Sequence, residues 1–83
     1  QGMLSGVPDL FLPVPKNGFH GLFIEMKSDK GRVTENQHWF LTNAESLSYK
    51  TVICYSAKEA ISAIQAYYDE ETIKRYYSGF TVS

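Results

Sequence analysis

Eighty-three residues with 43% hydrophobic, 14% aromatic and 20% charged side chains supply one small core, which excludes a two-domain enzyme and an intrinsically disordered chain. Eight basic against nine acidic residues leave a formal charge of −1, so affinity for phosphate has to come from a local basic cluster or from a cation held by carboxylates. The longest apolar runs, such as Leu10 to Leu12 and Leu22 to Ile24, fall far short of the ~20 residues of a membrane span, and the single Cys54, in the apolar run Val52 to Tyr55, reads as a buried thiol of a cytoplasmic protein without a signal peptide.

Asp9 to Val14 is apolar and bounded by Pro8, Pro13 and Pro15, which suits a short edge strand because proline cannot donate to a ladder. Lys16-Asn17-Gly18 offers turn chemistry, since Asn and Gly tolerate positive φ, and the run Phe19 to Lys27 then pairs back as the second strand of a β-hairpin. After a polar loop, Ser28 to Arg32, the stretch Thr34-Glu35-Asn36-Gln37 matches a capping box and predicts a helix from about Glu35 to near Ser48. Phe40, Leu41, Ala44 and Leu47 fall at helical spacing along it. Thr51 to Tyr55 is β-branched and apolar on both alternating faces, as expected of a strand covered on two sides, and strand, helix and strand make a βαβ unit. Ser56 to Glu59 repeats the capping pattern, and Ala57, Ala60, Ile61, Ile64 and Tyr68 predict a second helix packed on the sheet. Asp69-Glu70-Glu71 predicts the opening of a further helical turn or two through Ile73 to Tyr77, before a last apolar stretch, Gly79 to Val82.

The chemistry concentrates at the hairpin. Alternate strand residues share a face, so Glu25 and Lys27 point the same way while Met26 enters the opposite layer. A hairpin sets the start of the first strand beside the end of the second, which brings Asp9 to Glu25 and Lys27. Two carboxylates and an ammonium at one sheet edge suit a hard cation, because Mg²⁺ is commonly bound through one or two carboxylates plus waters and phosphate oxygens. The plain alternative is an exposed Glu25–Lys27 ion pair worth little energetically, with Asp9 as a turn residue.

Gly6-Val7-Pro8-Asp9, fifteen further residues, Glu25-Met26-Lys27, Lys30-Gly31-Arg32 and Gln37 on the following helix together resemble the PD-(D/E)xK nuclease superfamily, specifically its VRR-NUC (virus-type replication-repair nuclease) family, from about Ser5 to Tyr68. The resemblance implies a restriction-endonuclease-like α/β fold, a mixed sheet flanked by helices, and hydrolysis of DNA phosphodiester bonds with Mg²⁺ or Mn²⁺. It implies that Asp9, Glu25 and the backbone carbonyl of Met26 hold the metal, that Lys27 orients or activates the attacking water and offsets charge on the phosphate, and that Gln37 helps build the same site. Members usually carry an N-terminal helix with an acidic residue and a strand ahead of the Gly-Val-Pro-Asp motif. With only Gln1 to Ser5 before it, that part is expected to lie outside these residues or to come from another chain. Stand-alone proteins similar to the family resemble junction resolvases, which implies a homodimer acting on branched DNA such as a four-way junction. The competing expectation is a DNA-structure-binding or assembly module of the same fold with little turnover.

Lys30 and Arg32 are candidates for gripping DNA phosphates, against a solvated turn. The capping box explains Gln37 as well as a site role does, and the two roles are compatible. His20 and His38 lack a third ligand at suitable spacing. The pairs Tyr67-Tyr68 and Tyr76-Tyr77, and Trp39, are expected to pack in a core or a subunit interface rather than to stack bases.

Overall fold

The computed structural model describes residues 6–77, with side chains through Asp69. The expected site around Asp9 lies within this range. The expectations for Gln1 to Ser5 and for Gly79 to Val82, and for the side chains of Ile73, Tyr76 and Tyr77, lie outside the described residues.

Three strands, β1 (Leu10–Leu12), β2 (Leu22–Met26) and β3 (Lys50–Cys54), form one mixed sheet in the order β1-β2-β3. Two helices complete the fold, α1 (Glu35–Ser46) between β2 and β3 and α2 (Ala57–Tyr77) after β3. β1 runs antiparallel to β2 with Leu10 opposite Ile24, and β3 runs parallel to β2 with Met26 opposite Cys54. The α/β class and the βαβ unit are as the sequence implies.

The hairpin turn is fixed by its central residues. Asn17 and Gly18 have φ of 55° and 87°, the pair of positive values that a type I′ turn requires, and Lys16 and Phe19 exchange backbone hydrogen bonds of 3.0 and 2.8 Å. Both strands are shorter than expected. Pro13 and Pro15 bring no N–H to the ladder, and the His20 N–H donates to the Ser48 carbonyl at 2.8 Å instead of to β1.

Thr34 caps α1: its hydroxyl accepts from the Gln37 N–H while the Gln37 side chain returns to the Thr34 N–H, completing the capping box. At the other end Ser48 takes φ of 70°, and the Tyr49 N–H reaches back to the Ala44 carbonyl at 3.0 Å while that of Ser48 meets Glu45 at 3.0 Å. This is the Schellman pattern, with serine standing where glycine is usual.

The two faces of the sheet differ. Leu22 and Ile24, both 0% exposed, form the core with Cys54, Ala60 and Tyr67 on the α2 side, joined by Leu12, Met26, Val52 and Ile64. Burying an aliphatic side chain of that size contributes ~1.5–3 kcal/mol. On the α1 side Phe23 stacks on Phe11 at 4.4 Å and meets the edge of Phe40 at 5.2 Å, over the buried Leu41 and Ala44 of α1.

Four expectations need correction. β3 is less buried than expected: at the edge of the described sheet and in contact with both helices, it leaves Ile53 37% exposed. The buried stripe of α2 is Ala60, Ala63, Ile64 and Tyr67, whereas Ile61 and Tyr68 face outward. Its alanines let the helix approach the sheet, and the Tyr67 hydroxyl donates to the Val14 carbonyl at 2.5 Å. No new helix opens at Asp69, since α2 runs unbroken to Tyr77; neither Pro nor Gly interrupts that segment. Ser56 accepts from the Glu59 N–H at 3.1 Å as a cap, but the Glu59 carboxylate reaches one residue further back, to the Tyr55 N–H at 2.8 Å.

Candidate metal centre

The C-terminal end of β2, the residue before β1 and the first turn of α1 converge. Asp9 immediately precedes β1, and the Leu10–Ile24 register sets it beside the end of β2. There its Oδ2 accepts the Met26 N–H at 2.7 Å. That bond fixes the carboxylate through the backbone of the neighbouring strand rather than through a mobile side chain.

Glu25 lies on the α1 face of β2 and is 3% exposed. Its Oε2 accepts from Gln37 Nε2 at 2.9 Å and lies 3.5 Å from Lys27 Nζ. Lys27 Nζ donates to Gln37 Oε1 at 2.5 Å, and the Thr34 N–H donates to the same oxygen at 2.9 Å. One amide therefore serves both α1 and the cluster: its oxygen closes the helix cap and receives the ammonium, while its nitrogen holds the carboxylate. The helix cap and the contacts with Glu25 and Lys27 thus meet in one side chain, as the sequence reading of Gln37 allowed.

The other oxygen of Glu25, Oε1, is buried with no hydrogen-bond partner among the described residues. Leaving a carboxylate oxygen in that state costs free energy. Burial pushes the Glu25 carboxyl above its ordinary value of 4.5, and the nearby Asp9 carboxylate pushes it further, against the opposing pull of Lys27. The cluster is thus short of positive charge on the side of Oε1. A divalent cation held by Asp9 and Glu25 would give that oxygen a partner and offset the repulsion between the two carboxylates. Among the described residues no group of three or more His, Cys, Asp or Glu that could hold a metal ion gathers at one place; what Asp9 and Glu25 offer is two carboxylates, donors that suit a hard, partly hydrated ion.

Met26 turns its side chain into the α2-side core, leaving its backbone at the edge with Asp9. Lys30 and Arg32 are exposed in the loop that follows. That loop folds onto Lys27: the Gly31 N–H donates to Ser28 O at 2.9 Å, and a Cβ at Gly31 would lie 3.3 Å from Lys27 Cδ. His20 packs on the Tyr49 ring at 5.5 Å, and His38 lines a shallow groove with Trp39 and Asn43 on the outer side of α1. Trp39, expected to be packed, is 62% exposed in this chain. Tyr67 is core, and Tyr68 lies under the Lys16 ammonium at 5.8 Å.

Gly6, which the sequence offers only as part of a motif, has a structural role. It has φ of +92°, and a Cβ there would stand 2.5 Å from the Asn36 carbonyl carbon and 2.7 Å from the Gln37 nitrogen. The signal available was the glycine of the Gly-Val-Pro-Asp motif, whose reason is the approach of its backbone to α1.

A family model of the VRR-NUC domain matches residues 1–58. A solved structure of a VRR_NUC domain protein superposes with a TM-score of 0.75 at 31% identity, covering 80% of this chain and 55% of that one. The chain thus spans about half the length of that relative. No curated protein matches.

Proposed function

The chain belongs to the VRR-NUC domain family, and from that premise we propose that it is a metal-dependent endonuclease hydrolysing phosphodiester bonds of DNA, selective for branched structures. The observation that carries the reading is the Oε1 of Glu25, buried without a partner among the described residues, in a residue that lies beside Asp9 and has Lys27 held 3.5 Å from its carboxylate.

Asp9 and Glu25 would hold Mg²⁺ or Mn²⁺ with the Met26 carbonyl. Such an ion, when bound, polarises the phosphate and lowers the pKa of coordinated water. Lys27 presents a fixed ammonium to the oxygens on which negative charge grows, a contribution larger in the transition state than in the ground state. Gln37 keeps that ammonium aimed by accepting from it, and keeps Glu25 in place by donating to it. Lys30 and Arg32, on the loop leaving the site, meet flanking phosphates and position the strand without reading its sequence.

A homodimer completes the proposal. A two-fold dimer presents two identical sites in opposite orientation, and a four-way junction offers two equivalent strands to match them. The competing reading, a DNA-structure-binding module with little turnover, has less in its favour among the described residues of the site, where Glu25, Lys27 and Gln37 hold one another and Asp9 is held by the Met26 N–H. Labelled linear duplex, flap and four-way junction, each incubated with Mg²⁺ or Mn²⁺ and resolved on a denaturing gel, separate the readings, with light scattering giving the mass. Paired cuts in the junction by a dimer support the proposal. Tight junction binding without cleavage in either metal would favour the binding module, and equal cutting of linear duplex would remove the selectivity.

A further inference from the structure

We propose that Gly6 is a positioning residue for the cation site: its bare backbone seats the Asp9 turn directly on the first turn of α1, and that contact sets where Asp9 stands relative to Glu25. The inference rests on the reading of Asp9 and Glu25 as cation ligands.

The contact closes a ring through the site. From Gly6 the chain passes through the buried Pro8, whose φ is locked by its ring, to Asp9, which is tied to the Met26 N–H at 2.7 Å. Met26 adjoins Glu25 on β2, Glu25 accepts from the Gln37 side chain at 2.9 Å, and the Gln37 backbone lies against Gly6. Neither side of the Gly6 contact has slack. A Cβ at Gly6 would lie 2.5, 2.6 and 2.7 Å from the Asn36 carbon, the Asn36 oxygen and the Gln37 nitrogen, all backbone atoms that cannot rotate away. The Gln37 N–H is itself held by the Thr34 hydroxyl at 3.1 Å. Any side chain at Gly6 therefore has to part the Asp9 turn from α1, and the displacement is passed to Asp9 on one side or to Gln37 on the other.

Gly18 provides the control. Its φ of +87° imposes the same conformational demand, but a Cβ there meets nothing within 4 Å, and it lies in the hairpin turn. Gly18→Ala thus reproduces the backbone strain of Gly6→Ala without the collision. Gly6→Asn tolerates positive φ better than alanine while bringing the same Cβ.

The experiment is Mn²⁺ binding to the full chain, followed by the paramagnetic resonance of the free ion, with thermal melting of each variant. Gly6→Ala and Gly6→Asn are expected to melt cooperatively and to bind Mn²⁺ about 10–100-fold more weakly than wild type, the range for loss of a group that orients a metal ligand. Gly18→Ala is expected to bind as wild type does, with a lowered Tm. A folded Gly6 variant with wild-type affinity would overturn the inference, as would equal weakening by Gly18→Ala. Failure of both Gly6 variants to melt cooperatively, with Gly18→Ala folded, would also overturn it, by making Gly6 a requirement of folding. Absence of Mn²⁺ binding by the wild type would instead overturn the cation site itself.

Discussion

Gln37 donates from Nε2 to Glu25 Oε2 at 2.9 Å, and the second oxygen of that carboxylate is buried without a partner among the described residues. A helix-cap residue thus fixes one half of the carboxylate, while burial and then the nearby Asp9 raise the carboxyl's pKa. Leaving Oε1 in that state costs free energy, which a proton on Glu25, or a cation held by it, would relieve.

Asp9→Asn separates charge from architecture. The amide oxygen of asparagine can still accept the Met26 N–H, so Tm is expected to stay near the wild-type value. Loss of the charge leaves the cation one ligand short. Calorimetric titration with Mn²⁺ is expected to lose the binding isotherm, and cleavage to disappear. Cleavage at the wild-type rate would remove Asp9 from the site.

Acid sensitivity follows from Glu25, whose carboxyl is raised first by burial and then by Asp9. An acid with its folded pKa above the unfolded value binds protons more tightly when folded, so its contribution to stability falls as pH rises through that interval. Without a divalent ion, lowering the pH from neutral toward 4.5 is expected to bring a stabilising contribution from Glu25. With the ion, proton and cation compete, so the rise in Tm on adding Mn²⁺ is expected to be larger at neutral pH than in mild acid. Melting curves of wild type and Glu25→Gln at both pH values check this: the variant should lose the difference.

Much of this architecture was legible because its causes are local. Asn17-Gly18 specifies its turn from two residues, and Thr34 with Gln37 specifies the start of α1 from four. The clustering of these side chains was legible for a related reason, since strand alternation places Glu25 with Lys27 and a hairpin brings Asp9 to them. What escaped depends on contacts distant in the chain. The His20 N–H is claimed by Ser48, which shortens β2. Ile61 and Tyr67 belong to overlapping helical stripes, and only the position of the sheet selects the one through Tyr67. Gly6 meets Asn36 and Gln37 only once the hairpin and α1 have docked.

Lys27→Met is expected to lower cleavage by about 10²–10³-fold, the scale for removing one fixed electrostatic contact to a transition state, with modest loss of DNA binding. Single-turnover rates and a binding isotherm on the same junction test it. Comparable losses in both would make Lys27 a DNA-binding residue instead.

Gln37→Ala is expected to reduce stability by ~0.5–2 kcal/mol through the weakened cap, and to reduce cleavage without abolishing it, since Asp9, Glu25 and Lys27 all remain. Denaturant melts and cleavage rates measured on one preparation distinguish the two effects. Full activity with unchanged stability would dismiss both roles.

Cleavage of one labelled four-way junction by wild type and Glu25→Gln, in Mn²⁺ and in Mn²⁺ with excess EDTA, puts the greatest weight on the fewest assumptions. The wild type should cut in Mn²⁺ and stop in EDTA, while Glu25→Gln, folded and of similar size, should cut in neither. Undiminished cutting by the wild type in excess EDTA, or by Glu25→Gln in Mn²⁺, would contradict a metal-dependent nuclease built on Asp9 and Glu25.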